Sequence, residues 1–142
     1  VICKDKSKLD KEKAKKKIEL SLNRNYYYHG REWAYKDVKP RVIAEKLIDV
    51  QIVDYKFYCF NGEPKLLYLS RGLENHATAS ISFFDLDLKR LPFHRSDFRP
   101  FTDEPEIPEG YQEMLEIVRK LSNGMSFIRV DLYNVGGKIY FS

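Results

Sequence analysis

The sequence predicts an α+β fold, an antiparallel sheet with helices on one face. Three observations carry that prediction. Short runs with alternating character at 54–60, 65–71 and 79–86 follow one another with turn residues between them. Residues 108–122 carry apolar side chains at a 3.6-residue period. The chain also holds ten Tyr and nine Phe, and aromatic side chains favour the pleated, half-buried surface of a sheet.

Residues 1–4 read as the tail of a strand. Ser7-Lys8-Leu9-Asp10 has the hydroxyl-to-carboxylate spacing of a capping box, so a helix is expected from there to Asn23. Its apolar stripe, Ala14, Ile18 and Leu22, is narrow, and Lys15-Lys16-Lys17 reads as a solvated face. Residues 25–39 are aromatic and irregular, a short helix or ordered loop packed through Tyr26, Tyr27 and Trp33. Pro40 disfavours helix before it, and 41–48 reads as a strand. In 54–60, Tyr55, Phe57 and Cys59 share one face. Asn61-Gly62 is the strongest hairpin signal, joining this strand to 65–71. After the strand at 79–86, Pro92, Pro100, Pro105 and Pro108 mark a long loop. The helix at 108–122 places Tyr111, Met114, Leu115, Val118 and Leu121 on its packing face. Gly124 ends it, with Arg119 and Lys120 suited to its dipole. Residues 127–133 and 138–141, joined by Gly136-Gly137, form a last hairpin.

The charge distribution narrows the function classes. Net charge is +4, but residues 1–24 hold nine Lys or Arg against four Asp or Glu, and the remainder holds sixteen against seventeen. A nucleic-acid binder would spread a basic face over several elements, so none is expected as a partner. Cys3 and Cys59 read as reduced thiols of a cytoplasmic protein, and His29, His76 and His94 lack metal-ligand spacing. No apolar run approaches the roughly 20 residues that span a bilayer, so membrane insertion is not expected. The chain reads as one domain, 1–142, cut at both ends, because it begins at Val1 and stops one residue beyond the apolar run Ile139-Tyr140-Phe141.

Four places can carry chemistry. Arg129 and Asp131 share a strand face opposite Ile128, Val130 and Leu132, as a surface ion pair or a ligand site. Glu45-Lys46 interrupts an apolar stretch, as an edge or a cleft rim. Asp54 and Lys56 share a face opposite Tyr55 and Phe57, either an exposed face or a site. Asp85 and Asp87 form a D-x-D pair, which can hold a divalent ion on a nucleotide-sugar diphosphate but here reads better as a turn. No Gly-rich phosphate loop of the standard patterns lies within 1–142.

Taken together, PRVIAEKLI, DYKFYCFNGEPKLLYLSRG, SFFDLDLKRLPF, RPFTDEPEIPEG and FIRVDLYNVGGKIYF resemble the ATP-grasp proteins of the teichuronopeptide-biosynthesis (TupA-like) group, over the whole chain. The resemblance implies an ATP-dependent ligase of cell-surface polysaccharide biosynthesis. Such an enzyme uses ATP and Mg²⁺ to make an acyl phosphate, and its partner is an acidic polysaccharide or peptide precursor. It implies that Glu45, Lys46 and Leu47 meet the adenine edge and that Asp54 accepts from ribose hydroxyls, with Lys56 the alternative position. It implies Arg129 near the transferred phosphoryl group and Asp131 as the first metal-binding carboxylate.

Two departures follow from the same comparison. Family members carry a lysine strand and a Gly-rich loop before the position of Val1, and a metal-binding Glu after the position of Phe141. The chain as given is therefore expected to lack ligase activity. Two other readings stand beside this one: a glycosyltransferase using Asp85 and Asp87 for metal, and a non-catalytic binding domain whose basic feature is the N-terminal helix.

Overall fold

The computed structural model describes residues 1–48, 52–73 and 77–142; His76 lies outside them. Contacts group the chain into two compact units, Val1–Ile48 and Asp49–Ser142.

The first unit is helical and irregular. Its main helix, α1, spans Lys11–Leu22, and Asp10 caps it by accepting from the Lys13 amide at 2.9 Å. The cap is thus Asp10 rather than Ser7. Asp5 takes the Ser7 amide and hydroxyl at 2.9 and 2.7 Å and closes a preceding 3₁₀ turn, Lys6–Lys8, so Ser7 donates instead of capping. Lys15, Lys16 and Lys17 are exposed, as a solvated face requires, while Ala14 and Ile18 are half-buried. A second short helix, α2 (Tyr27–Gly30), and a 3₁₀ turn, Trp33–Tyr35, follow. Tyr27 lies 5.5 Å from Trp33 and Tyr26 lies 5.0 Å from Tyr35, centroid to centroid, the packing expected of the aromatic stretch.

Two strand expectations fail here. Residues 1–4 and 41–48 are irregular, and all of 41–47 is exposed. A strand needs a ladder partner for its backbone groups, and none runs beside either segment among the described residues of this unit. The apolar run 42–44 alone does not supply one.

The second unit is a five-stranded antiparallel sheet backed by a helix. Its strands are β1 (Asp54–Phe60), β2 (Glu63–Arg71), β3 (Ser80–Phe84), β4 (Phe127–Val135) and β5 (Lys138–Phe141), in the spatial order β3-β2-β1-β4-β5. Asn61 and Gly62 both take positive φ, 50° and 81°, the condition for the tight turn between β1 and β2. Helix α3 (Tyr111–Ser122) lies against one face of the sheet. Phe57, Leu67, Leu69, Met114, Val118 and Leu132 are fully buried between the two layers. One expected core residue is displaced: Leu121 is 45% exposed. Ser122 takes the inward position instead, its hydroxyl donating to the Gly62 carbonyl at 2.9 Å and tying the end of α3 to the β1–β2 turn.

The proline-punctuated connection between β3 and α3 is irregular, as expected. The D-x-D pair is a turn. Asp85 Oδ1 accepts from the amides of Asp87 and Lys89 at 3.0 and 2.8 Å, so that oxygen closes the chain reversal.

Candidate functional site

Because Tyr55, Phe57 and Cys59 point into the core, alternation sends Asp54, Lys56, Tyr58 and Phe60 to the other face of β1. On β4 the same rule buries Val130 and Leu132 and presents Phe127, Arg129 and Asp131. The antiparallel register sets Lys56 opposite Asp131 and Tyr58 opposite Arg129. Four charged side chains from the two central strands therefore meet on the face away from α3.

They form one connected network. Lys56 Nζ donates to Asp54 Oδ2 and to Asp131 Oδ2, each at 2.7 Å. Arg129 grips the same Asp131 with two nitrogens, Nε to Oδ1 at 2.8 Å and Nη2 to Oδ2 at 2.9 Å. The side chains of Lys56, Asp54 and Asp131 are only 11%, 9% and 14% exposed. Arg129 is 45% exposed, and its Nη1 has no hydrogen-bond partner among the described residues. Among the described residues Asp54 Oδ1 is buried without a partner. The exposed-face reading of Asp54 and Lys56 gives way because both are buried, and the Arg129–Asp131 pair is half at the surface, with Asp131 buried and Arg129 exposed.

The two carboxylates respond oppositely. Burial pushes the Asp54 carboxyl above its ordinary range, and Lys56 offsets this only in part. Burial acts on Asp131 in the same direction, but Arg129 and Lys56 together outweigh it and hold its carboxyl below 3.8. Burial disfavours the Lys56 ammonium, yet its bonds to Asp131 and Asp54 prevail and raise its pKa.

This asymmetry gives a testable sign. Asp131, depressed in the fold, contributes stability above its unfolded value near 3.8 and loses it as pH falls through the folded value. Asp131→Asn should cost about 1.5–3 kcal/mol at pH 7, the worth of hydrogen bonds to a charged group. The difference from wild type in urea midpoint should shrink below pH 4. A constant difference from pH 7 to 3 would show that the charge on Asp131 is not what stabilises the fold.

The described residues do not fit Mg²⁺ as arranged. Both oxygens of Asp131 accept from cations, and the second carboxylate, Asp54, faces it across the Lys56 ammonium. No group of three His, Cys, Asp or Glu side chains converges among the described residues.

Of the residues singled out from the sequence, the structure brings together Asp54, Lys56, Arg129 and Asp131. Glu45, Lys46 and Leu47 belong to the first unit and are exposed on its irregular segment. Sequence reasoning missed Tyr68, which pairs with Lys56 across β2, and the aromatic continuation through Tyr58 and Phe127. For Tyr58 and Phe127 the signal was present, since each lies two residues from a charged site residue on its own strand, whereas Tyr68 reaches Lys56 only through the register shift in the β1–β2 ladder.

A family model described as TupA-like ATPgrasp matches residues 1–142, the whole chain. No curated protein and no solved structure gives a match.

Proposed function

Since the chain belongs to the TupA-like ATPgrasp family, we propose that it forms the nucleotide-holding part of an ATP-dependent carboxylate ligase acting in the cytoplasm on precursors of a cell-surface polysaccharide. The observation that carries this reading is the Asp54–Lys56–Asp131–Arg129 network. Three of its four charges are buried, which costs more than packing apolar residues there, so the network is better explained by use than by stability.

In the proposed reaction a substrate carboxylate oxygen attacks the γ-phosphorus of ATP. The bond to the β–γ bridging oxygen breaks, and ADP leaves with that electron pair. An amine then attacks the carbonyl carbon of the acyl phosphate. The carbon–oxygen bond to phosphate breaks, phosphate leaves with the pair, and the amine gives up a proton.

Arg129 is assigned to the transferred phosphoryl group. Its half-exposed guanidinium keeps Nη1 available, and a planar fork suits phosphate oxygens. Lys56 is assigned to the phosphates beside it, exchanging its bond to Asp131, which keeps Arg129, for a phosphate oxygen. Asp54, at the end of the same face, is assigned to the ribose hydroxyls. Glu45, Lys46 and Leu47 are assigned to the adenine edge. Asp131 gives a metal ion a ligand only where phosphate has drawn Lys56 or Arg129 away from it, so the chain's own cations carry the role assigned here. The acceptor is assigned as an acidic saccharide or peptide precursor.

A titration of the chain with a non-hydrolysable ATP analogue, followed by amide NMR, tests the reading. The analogue should perturb the amides of Lys56 and Arg129, and Arg129→Ala should weaken its binding by about tenfold, which corresponds to 1.4 kcal/mol. Absence of binding, or equal affinity in the variant, would sink it. The glycosyltransferase alternative gains nothing from the structure, because Asp85 is spent on its turn. Among the described residues no helix is long and apolar enough to cross a membrane.

A further inference from the structure

The first unit has charge and rings but no core. None of residues 1–48 is buried. Trp33, Tyr28 and Ile43 are 72%, 68% and 80% exposed. The same stretch holds fourteen Lys or Arg against seven Asp or Glu, a balance of +7. Residues 49–142 hold eleven against fourteen, a balance of −3. Large apolar side chains left open together mark a surface that something else covers.

Rings and cations meet in this unit. The Asn25 side chain donates to the Lys36 carbonyl at 2.8 Å and closes 25–36 into a knot. Within it Tyr27 meets Trp33 and Tyr28, and Tyr26 meets Tyr35. Lys36 Nζ lies 4.8 Å from the Trp33 ring centre, and the Arg31 guanidinium lies 5.8 Å from that of Tyr27. Beside the knot is a groove of about 970 Å³. Tyr26 and Ile43 line it with four cations, Lys17, Arg24, Lys39 and Arg41, against one carboxylate, Asp37.

We infer that this basic, aromatic surface docks the chain on an anionic lipid bilayer, lying on it without spanning it. A bilayer interface offers phosphates to the cations and apolar depth to the rings. Trp and Tyr gather at that level because their bodies are apolar and their tips polar. Peripheral docking combines apolar burial with attraction of Lys and Arg to anionic headgroups, and the unit carries both. Other anions answer only half of it. Nucleobases stack on open flat faces, whereas these ring pairs are tilted by 53° to 71° and cations already sit over Tyr27 and Trp33. A small soluble anion leaves the rings open to water. The surface draws on residues 17–43, so the inference stands apart from the nucleotide reading of the sheet.

Trp33 is the only Trp of the chain, so its fluorescence reports the docked surface directly. The full chain is mixed with vesicles of phosphatidylcholine, alone or with phosphatidylglycerol added. The mixed vesicles should shift Trp33 emission to the blue. They should also sediment the chain at least about tenfold more tightly than neutral ones, with the difference shrinking in high salt. Lys17→Gln, Lys39→Gln and Arg41→Gln combined should weaken that binding by at least about thirtyfold. Tyr28→Ala with Trp33→Ala, followed by sedimentation, should weaken it by about tenfold. All five side chains are exposed, so circular dichroism should stay as in wild type. No binding to mixed vesicles, equal binding to neutral ones, an unshifted Trp33 in the bound chain, or no effect of either variant would each overturn the inference. So would inorganic phosphate that reproduces the Trp33 shift, which reduces the groove to an anion site. An oligothymidylate that binds as tightly as the mixed vesicles would overturn it too, making the surface one for nucleic acid.

Discussion

Lys56→Met should destabilise the sheet unit by about 3–5 kcal/mol at pH 7, the cost of leaving buried charge without its partner. Among the described residues Asp54 Oδ2 is held by the Lys56 ammonium and Oδ1 lacks a partner, so the variant leaves a buried carboxylate without a bonded cation. Asp131 keeps Arg129 and suffers less. The loss should depend on pH with a definite sign. Asp54 already has a raised carboxyl pKa, and removing Lys56 raises it further, so the folded variant takes up a proton where the unfolded chain does not. The penalty is therefore full at pH 7 and shrinks as pH falls through the raised value. Urea denaturation at pH 7 and pH 4 measures both. Lys56→Met combined with Asp54→Asn should recover part of the loss at pH 7, because an amide costs less to bury than a carboxylate. A Lys56→Met variant as stable as wild type at pH 7 would mean that water, and not the ammonium, balances Asp54.

The same residue shows why the fold was more legible than the site. Alternation in 54–60 gave the strand, its core face and its turn, because these depend on neighbours in sequence. The Asn61-Gly62 turn, taken alone, would put Leu67 opposite Lys56. The structure instead pairs Lys56 with Tyr68, because the register shifts between Tyr58 and Cys59. Pro64, opposite Cys59, lacks an amide hydrogen for the ladder, and a bulge is where a strand tolerates that. One residue of slip exchanges the two faces, so Leu67 enters the core and Tyr68 joins the charged face. The meeting of Lys56 with Asp131 was further out of reach. It spans 75 positions and depends on β4 pairing with β1 rather than with β2. At 41–48 the opposite happened: an apolar run promised a strand, and nothing among the described residues of its unit supplies the ladder.

The two faces of β1 thus have separate tasks. One joins α3 through apolar contact, and the other holds charge in fixed positions. In the ligase reading proposed above, fixed positions are what electrostatic stabilisation requires, since charges already in place need no reorganisation as phosphate charge develops. The rigidity comes from behind: the residues between Asp54, Lys56, Tyr58 and Phe60 are Tyr55, Phe57 and Cys59, all in the core.

Phe57→Ala makes that dependence measurable. Phe57 is fully buried between Lys56 and Tyr58 in sequence, packs 6.3 Å from the Tyr111 ring of α3, and sits opposite Val130 on β4 and Leu67 on β2. Truncating it removes a large ring from the centre of the core and should cost about 3–5 kcal/mol. Phe127→Ala, on the other face and half-exposed, should cost far less. Urea denaturation of the two variants separates the core face from the charged face. The loss in Phe57→Ala should also reach the charged network, because the backbone carrying Lys56 is held by that ring. Hydrogen exchange at the amides of Lys56 and Tyr58 should accelerate in Phe57→Ala and stay near wild type in Phe127→Ala. Equal exchange rates in the two variants would show that the network is held by its own ion pairs and not by the core beneath it.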